Sequence, residues 1–169
     1  MRLSVAIIKN SLGFTFIELL IALLILGLLS SVGLDQWSIL KQRNALASAT
    51  LSLFAFIQQA QSEANWQNRN VTIFLFEQDN AWCLSVDYQE TRPDSCFKGN
   101  RYFFSPASTV RLSHFNDTAM LTFYGKRANA QPGTLILENS QGRTHIIISG
   151  RGRLRYCSET RGISGIPIC

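Results

Sequence analysis

The chain has 169 residues, a formal net charge of +5 and 46% hydrophobic residues. That length leaves room for one soluble domain beside an apolar N-terminal run, and is too short for two. The charge excess is modest, so its distribution matters more than its sum.

Residues 1–13 form a short leader that carries Arg2 and Lys9 and ends in Gly13. From Phe14 to Leu34 the chain is apolar, with one charge, Glu18. About 20 apolar residues cross a bilayer as a helix, so 14–34 has membrane length. A carboxylate in hydrocarbon is costly unless it is paired, which makes Glu18 the anomaly of the run. After Leu34 the pattern turns amphipathic. Gln36 to Trp66 contains no Gly or Pro. Leu46, Leu53, Ile57, Ala60 and Ala64 recur at helical spacing and predict one buried face, widened by Leu51 and Phe54. One helix is predicted from Phe14 to about Trp66, with 35–68 as its amphipathic half.

Beyond Asn70 the period becomes that of strands. Residues 71–76 and 81–86 read as a pair around a turn at Asp79-Asn80, and 87–100 as a polar loop. Further strands are predicted at Tyr102–Phe104, Val110–His114, Met120–Tyr124, Gly133–Glu138, Arg143–Ser149 and Arg153–Cys157. Asn139-Ser140-Gln141-Gly142 predicts a hairpin turn. The fold class is therefore α+β, a long N-terminal helix packed on an antiparallel β domain at 69–169.

The cysteines are Cys83, Cys96, Cys157 and Cys169. They form no Cys-x-x-Cys pair, and His114 and His145 lie far from them, so zinc-ligand spacing is absent. A domain carried across a membrane enters an oxidising space, where disulfides are the default. Four cysteines allow three connectivities. Cys83–Cys96 and Cys157–Cys169 are favoured, because each closes a short loop between predicted strands. There is no His-Glu-x-x-His, no Gly-x-Ser-x-Gly and no phosphate-binding glycine loop. Neither histidine has a catalytic partner at motif spacing. The chain reads as no enzyme, with no catalytic residue, cofactor or metal.

The cations concentrate at the end. From residue 139 onward Arg143, Arg151, Arg153, Arg155 and Arg161 are opposed only by Glu159. In an extended chain Arg151, Arg153 and Arg155 share a face, about 6–7 Å apart, with Leu154 and Tyr156 turned inward. Guanidinium groups at that spacing match successive phosphates, which they bind bidentately. Gly150 and Gly152 remove side-chain bulk and let the chain turn. Arg143 and the Lys126-Arg127 pair are weaker candidates for a wider basic surface. The bland alternative is an edge strand kept charged against aggregation.

Two stretches carry a resemblance. Gly13-Phe14-Thr15-Phe16-Ile17-Glu18-Leu19 resembles the class III signal of type IV prepilins and pseudopilins. The resemblance implies that a prepilin peptidase cuts between Gly13 and Phe14 and methylates the new N-terminus of Phe14. It implies that Glu18 neutralises the N-terminus of a neighbouring subunit, which removes most of its burial penalty. The chain would then span the bacterial inner membrane once, with its C-terminal domain periplasmic, and become part of an extracellular pilus on assembly. Ala60-Gln61-Ser62-Glu63-Ala64 is similar to the helix end of FimT/GspH-type minor pilins and pseudopilins, where Ala-Arg-Ser-Glu-Ala is common; Gln61 replaces the Arg. Gly150-Arg151-Gly152-Arg153 is similar to the Gly-Arg-x-Arg motif associated with DNA binding in FimT proteins of natural transformation. Arg155 lies outside that motif. The implied fold is pilin-like. The implied function is that of a minor pilin which binds extracellular DNA during uptake, through sequence-nonspecific phosphate contacts. The implied partners are DNA, other major and minor pilins, the prepilin peptidase and the inner membrane. The alternative is a structural minor pilin (FimU-like) or a type II secretion pseudopilin (GspH-like), which initiates or caps a filament without binding DNA.

Overall fold

The computed structural model describes residues 14–78, 81–88, 91–116, 118–126 and 129–169, with backbone alone at 29–35 and 78. The leader 1–13, and with it Gly13, lies outside the described residues. Contacts divide the chain into two units, Met1–Ser38 and Ile39–Cys169.

Helix α1 spans Phe16–Gln67 and contributes to both units. It starts two residues later than predicted because Thr15 caps it. The Thr15 carbonyl accepts the N–H groups of Glu18 and Leu19 at 3.1 and 3.2 Å, and its Oγ1 accepts that of Glu18 at 3.4 Å. Thr15-Phe16-Ile17-Glu18 has capping-box spacing, and Glu18 lies in the first turn, where a carboxylate favours the helix dipole. Glu18 thus has a local reason to be acidic beyond any partner. In the first unit Phe16, Ile17, Leu20, Leu24 and Leu28 are exposed. Among the described residues no helix is long and apolar enough to cross a membrane. The expected membrane segment reaches Leu34, and the side chains of 29–35 lie outside the described residues.

In the second unit Leu46, Leu53, Ile57, Ala60 and Ala64 are fully buried, as their spacing predicts. Leu51 is not; it is 39% exposed. It stands about 160° around the helix from Leu53, on the far side, given 100° per residue. Ala49, Thr50 and Phe56 widen the buried face instead.

The strands form two antiparallel sheets. Sheet A has the order β3-β2-β1-β5-β6, from β1 (Val71–Gln78), β2 (Ala81–Asp87), β3 (Arg101–Phe104), β5 (Met120–Tyr124) and β6 (Asn129–Ala130). Sheet B has the order β4-β7-β8-β9, from β4 (Arg111–Phe115), β7 (Gly133–Asn139), β8 (Gly142–Ile148) and β9 (Leu154–Ser158). The two-residue strand β6 was not predicted. The hairpin at 139–142 forms as expected, with Asn139 Oδ1 accepting the N–H of Gln141 at 2.9 Å. Strand β2 extends to Asp87, one residue into the expected loop; among the described residues from Tyr88 to Asn100 there is no strand, and a 3₁₀ turn covers Cys96–Lys98.

Both sheets pack on α1. On the sheet B side the hydroxyls of Thr50 and Thr144 meet at 2.7 Å, and the Phe54 and Tyr156 rings at 4.8 Å. On the sheet A side Phe56 meets Phe103 at 5.2 Å. Glu63 accepts from Arg101 at 3.1 Å and from the Tyr88 hydroxyl. The bond to Glu63, then burial, push the Tyr88 phenol above its ordinary pKa. Glu63 and Arg101 are both mostly buried, so each needs the other: a lone buried charge is far more costly than a pair. The disulfides are Cys83–Cys96 and Cys157–Cys169, with Cα atoms 6.3 and 4.9 Å apart.

Candidate nucleic-acid interface

The Gly-Arg-Gly-Arg stretch forms the tip of the β8–β9 hairpin. Strand β8 ends at Ile148 and β9 begins at Leu154. Between them the Gly152 N–H donates to the Ser149 carbonyl at 2.8 Å, and the Ser149 N–H to the Arg153 carbonyl at 3.1 Å. The Arg153 N–H donates to Ser149 Oγ at 3.0 Å. Gly152 has φ +72°, a left-handed conformation that closes a short hairpin loop. A Cβ in that region is strained, so the backbone itself calls for glycine. Gly150 is different. A Cβ there would meet nothing nearer than the Ala130 carbonyl oxygen at 3.9 Å. Only one of the two glycines is compelled by the fold.

This geometry corrects the single extended strip. Arg151 lies in the turn, Arg153 just precedes β9, and only Arg155 projects from a strand. All three are exposed. Leu154 and Tyr156 pack on the core, as the alternation predicts. Among the described residues no side-chain hydrogen bond or ion pair engages Arg151, Arg153 or Arg155. The tip is therefore a cluster of uncompensated cations on a defined loop, with a third cation one strand residue further on.

The weaker candidates separate. Arg143 sits at the other end of β8 and is bound to Glu138 at 3.0 Å, so much of its charge is answered. Lys126 is exposed in the β5–β6 connection, and Arg127 lies outside the described residues. That connection adjoins the arginine loop, since the Ala130 N–H of β6 donates to the Gly150 carbonyl at 3.1 Å. His145 faces Glu159 at 2.7 Å and is hydrogen-bonded there.

The loop's supports were not visible in the sequence. Besides Ala130, Gln61 of α1 donates its side-chain N–H to the Gly152 carbonyl. No spacing rule links residue 61 to residue 152.

The opposite edge of sheet A has another character. Phe97, Tyr102 and Phe104 are exposed there, with ring centroids 5.3–5.5 Å apart. The cations beside them are paired. Lys98 binds Asp94 at 2.7 Å and holds that carboxyl below its usual pKa, while Arg101 binds Glu63. An unanswered positive field is thus found at the β8–β9 tip and not at this aromatic edge.

Comparison with known proteins agrees with this architecture. Residues 8–34 match the family model described as prokaryotic N-terminal methylation motif. Two crystal forms of the type IV minor pilin FimU of Pseudomonas aeruginosa share the fold. One has a TM-score of 0.55 at 25% identity, covering 76% of this chain and 96% of FimU. The other has a TM-score of 0.51 at 24% identity, covering 64% and 90%. No curated protein matches the chain. Residues 49–152 match the family model described as type II transport protein GspH, which spans most of the β domain and its packing helix, and the chain belongs to that family.

Proposed function

We infer that this chain is a minor pilin that holds extracellular DNA at the β8–β9 tip during uptake in natural transformation. The observation that carries the reading is the set of exposed, unpaired Arg151, Arg153 and Arg155 on and beside a hydrogen-bonded loop. Gly150-Arg151-Gly152-Arg153 in a GspH-family chain supports it. Phosphate is the fitting ligand because guanidinium binds it through a planar fork of donors. Phosphate contacts carry no direct sequence information, so binding through this loop is sequence-nonspecific.

The N-terminal half belongs to delivery and assembly. The methylation motif supports cleavage between Gly13 and Phe14 and methylation of Phe14. The apolar run then anchors the chain in the inner membrane, with the β domain periplasmic, until it enters the pilus. Glu18 pairs with the charged N-terminus of a neighbour. The variant Glu18→Ala is cut normally but enters filaments poorly. Immunoblots of sheared pili check this, and wild-type levels of the variant would remove the pairing role.

The direct test uses the full chain in zwitterionic detergent and fluorescent duplexes of unrelated sequence. Equal affinities are expected. Three phosphate contacts give a log–log salt slope of about −2.7, so a fourfold rise in salt weakens binding about 40-fold. A second reading, a filament-initiating or capping subunit, is favoured by the likeness to FimU. Absence of DNA binding at low salt selects it.

A further inference from the structure

We propose that Gln61 of α1 is the positioning residue that sets the geometry of the arginine loop. The inference rests on the reading of that loop as the DNA site. Gly152 lies between Arg151 and Arg153, so whatever fixes it fixes the separation of the two cations. Its left-handed backbone takes it out of the β8–β9 ladder, whose last pair is Ile148 with Leu154. Gly152 is buried, so its carbonyl needs a donor that the ladder does not supply. Gln61 provides it. The residue stands on the flank of the buried helix face, next to Ala60 and one turn from Ala64. The Gly150 carbonyl is held in parallel by the Ala130 N–H. That second hold uses backbone alone and is indifferent to side chains. Among the described residues Gln61 is the side chain from outside the hairpin that bonds to the loop.

A loop held at Gly152 meets phosphate with its arginines already spaced, and loses less freedom on binding. Gln61 touches no phosphate itself. Loss of the clamp therefore weakens binding without changing the number of ions released. Loss of an arginine changes both.

The test is Gln61→Met, which keeps length and neutrality but removes the donor. Full-length protein in zwitterionic micelles is followed by amide exchange in NMR, and DNA binding by anisotropy across a salt series. Exchange at Gly152 and Arg153 quickens while the rest of α1 and sheet B keep wild-type protection. Affinity for DNA falls about fivefold, the effect of freeing one or two long side chains. The salt slope stays at its wild-type value, whereas Arg153→Gln lowers it by about 0.9. Wild-type exchange at Gly152 and Arg153 overturns the proposal. So does faster exchange with unchanged affinity, or a lowered slope. If the wild-type chain binds no DNA, the receptor reading fails, and the exchange rates alone decide whether Gln61 holds the loop.

Discussion

Replacing Arg151, Arg153 and Arg155 together with glutamine lowers DNA affinity about 100-fold and leaves the fold intact. The magnitude follows from about 1 kcal/mol for each exposed charge contact, with 1.4 kcal/mol to a factor of ten. The salt slope collapses toward zero, since few counterions are left to release. Stability is spared because all three side chains are exposed and bond to nothing among the described residues; the melting temperature stays within about 2 °C. Arg143→Gln is the matched control. It removes a cation from the same hairpin, but one already bound to Glu138, and it lowers affinity far less. Anisotropy titrations and thermal unfolding on the same preparations read both outcomes. Undiminished binding by the triple variant would eliminate the loop as the site.

The largest loss of stability is expected from Cys157→Ser with Cys169→Ser. The bridge spans a sequence separation of 12. Releasing a loop of that size from constraint in the unfolded chain costs about 3 kcal/mol, which lowers the melting temperature by about 10 °C. The bridge also ties down the chain's last residues. The Ser158 N–H donates to the Pro167 carbonyl at 2.8 Å, and the Cys169 N–H to the Ser158 carbonyl at 3.1 Å. Ile168 pairs with Ser158 as an isolated parallel bridge. These residues cover the outer edge of β9 at its C-terminal end. Freed, they uncover that edge and invite pairing with other chains. Circular dichroism follows the unfolding and light scattering the association. An unshifted melting temperature would show that the tail is held by its hydrogen bonds alone.

Much of this fold was legible because its determinants are local. The helix face could be read from Leu46 to Ala64, and the 139–142 turn from its polar residues between two apolar runs. The disulfides followed from short spacings between strands. Leu51 misled because an apolar residue on the far side of a helix looks no different in a list. The division into two sheets was hidden, since β1 pairs with β5 across nearly 50 positions and no local pattern records it. At the candidate site the sequence names the arginines but not their placement. Arg151, Arg153 and Arg155 alternate with glycine and leucine, which imitates the period of a strand. The reversal shows only in the pairing of Ile148 with Leu154, which places the two motif arginines in the gap. Glu63 looked like part of a helix-end motif, and its partner Arg101 lies 38 residues away.

The placement of the loop at a hairpin tip has a mechanical consequence. Strand β8 runs into the tip and β9 out of it, and β8 is paired along its whole length with β7. A ligand tugged outward along the strand direction loads those backbone bonds together, in shear. The same tug applied across an edge strand would open them one at a time, as a zip opens. The bond from Gln61 carries part of the load directly to α1. On the proposed function, a pull on bound DNA would meet more resistance at this tip than at an edge strand.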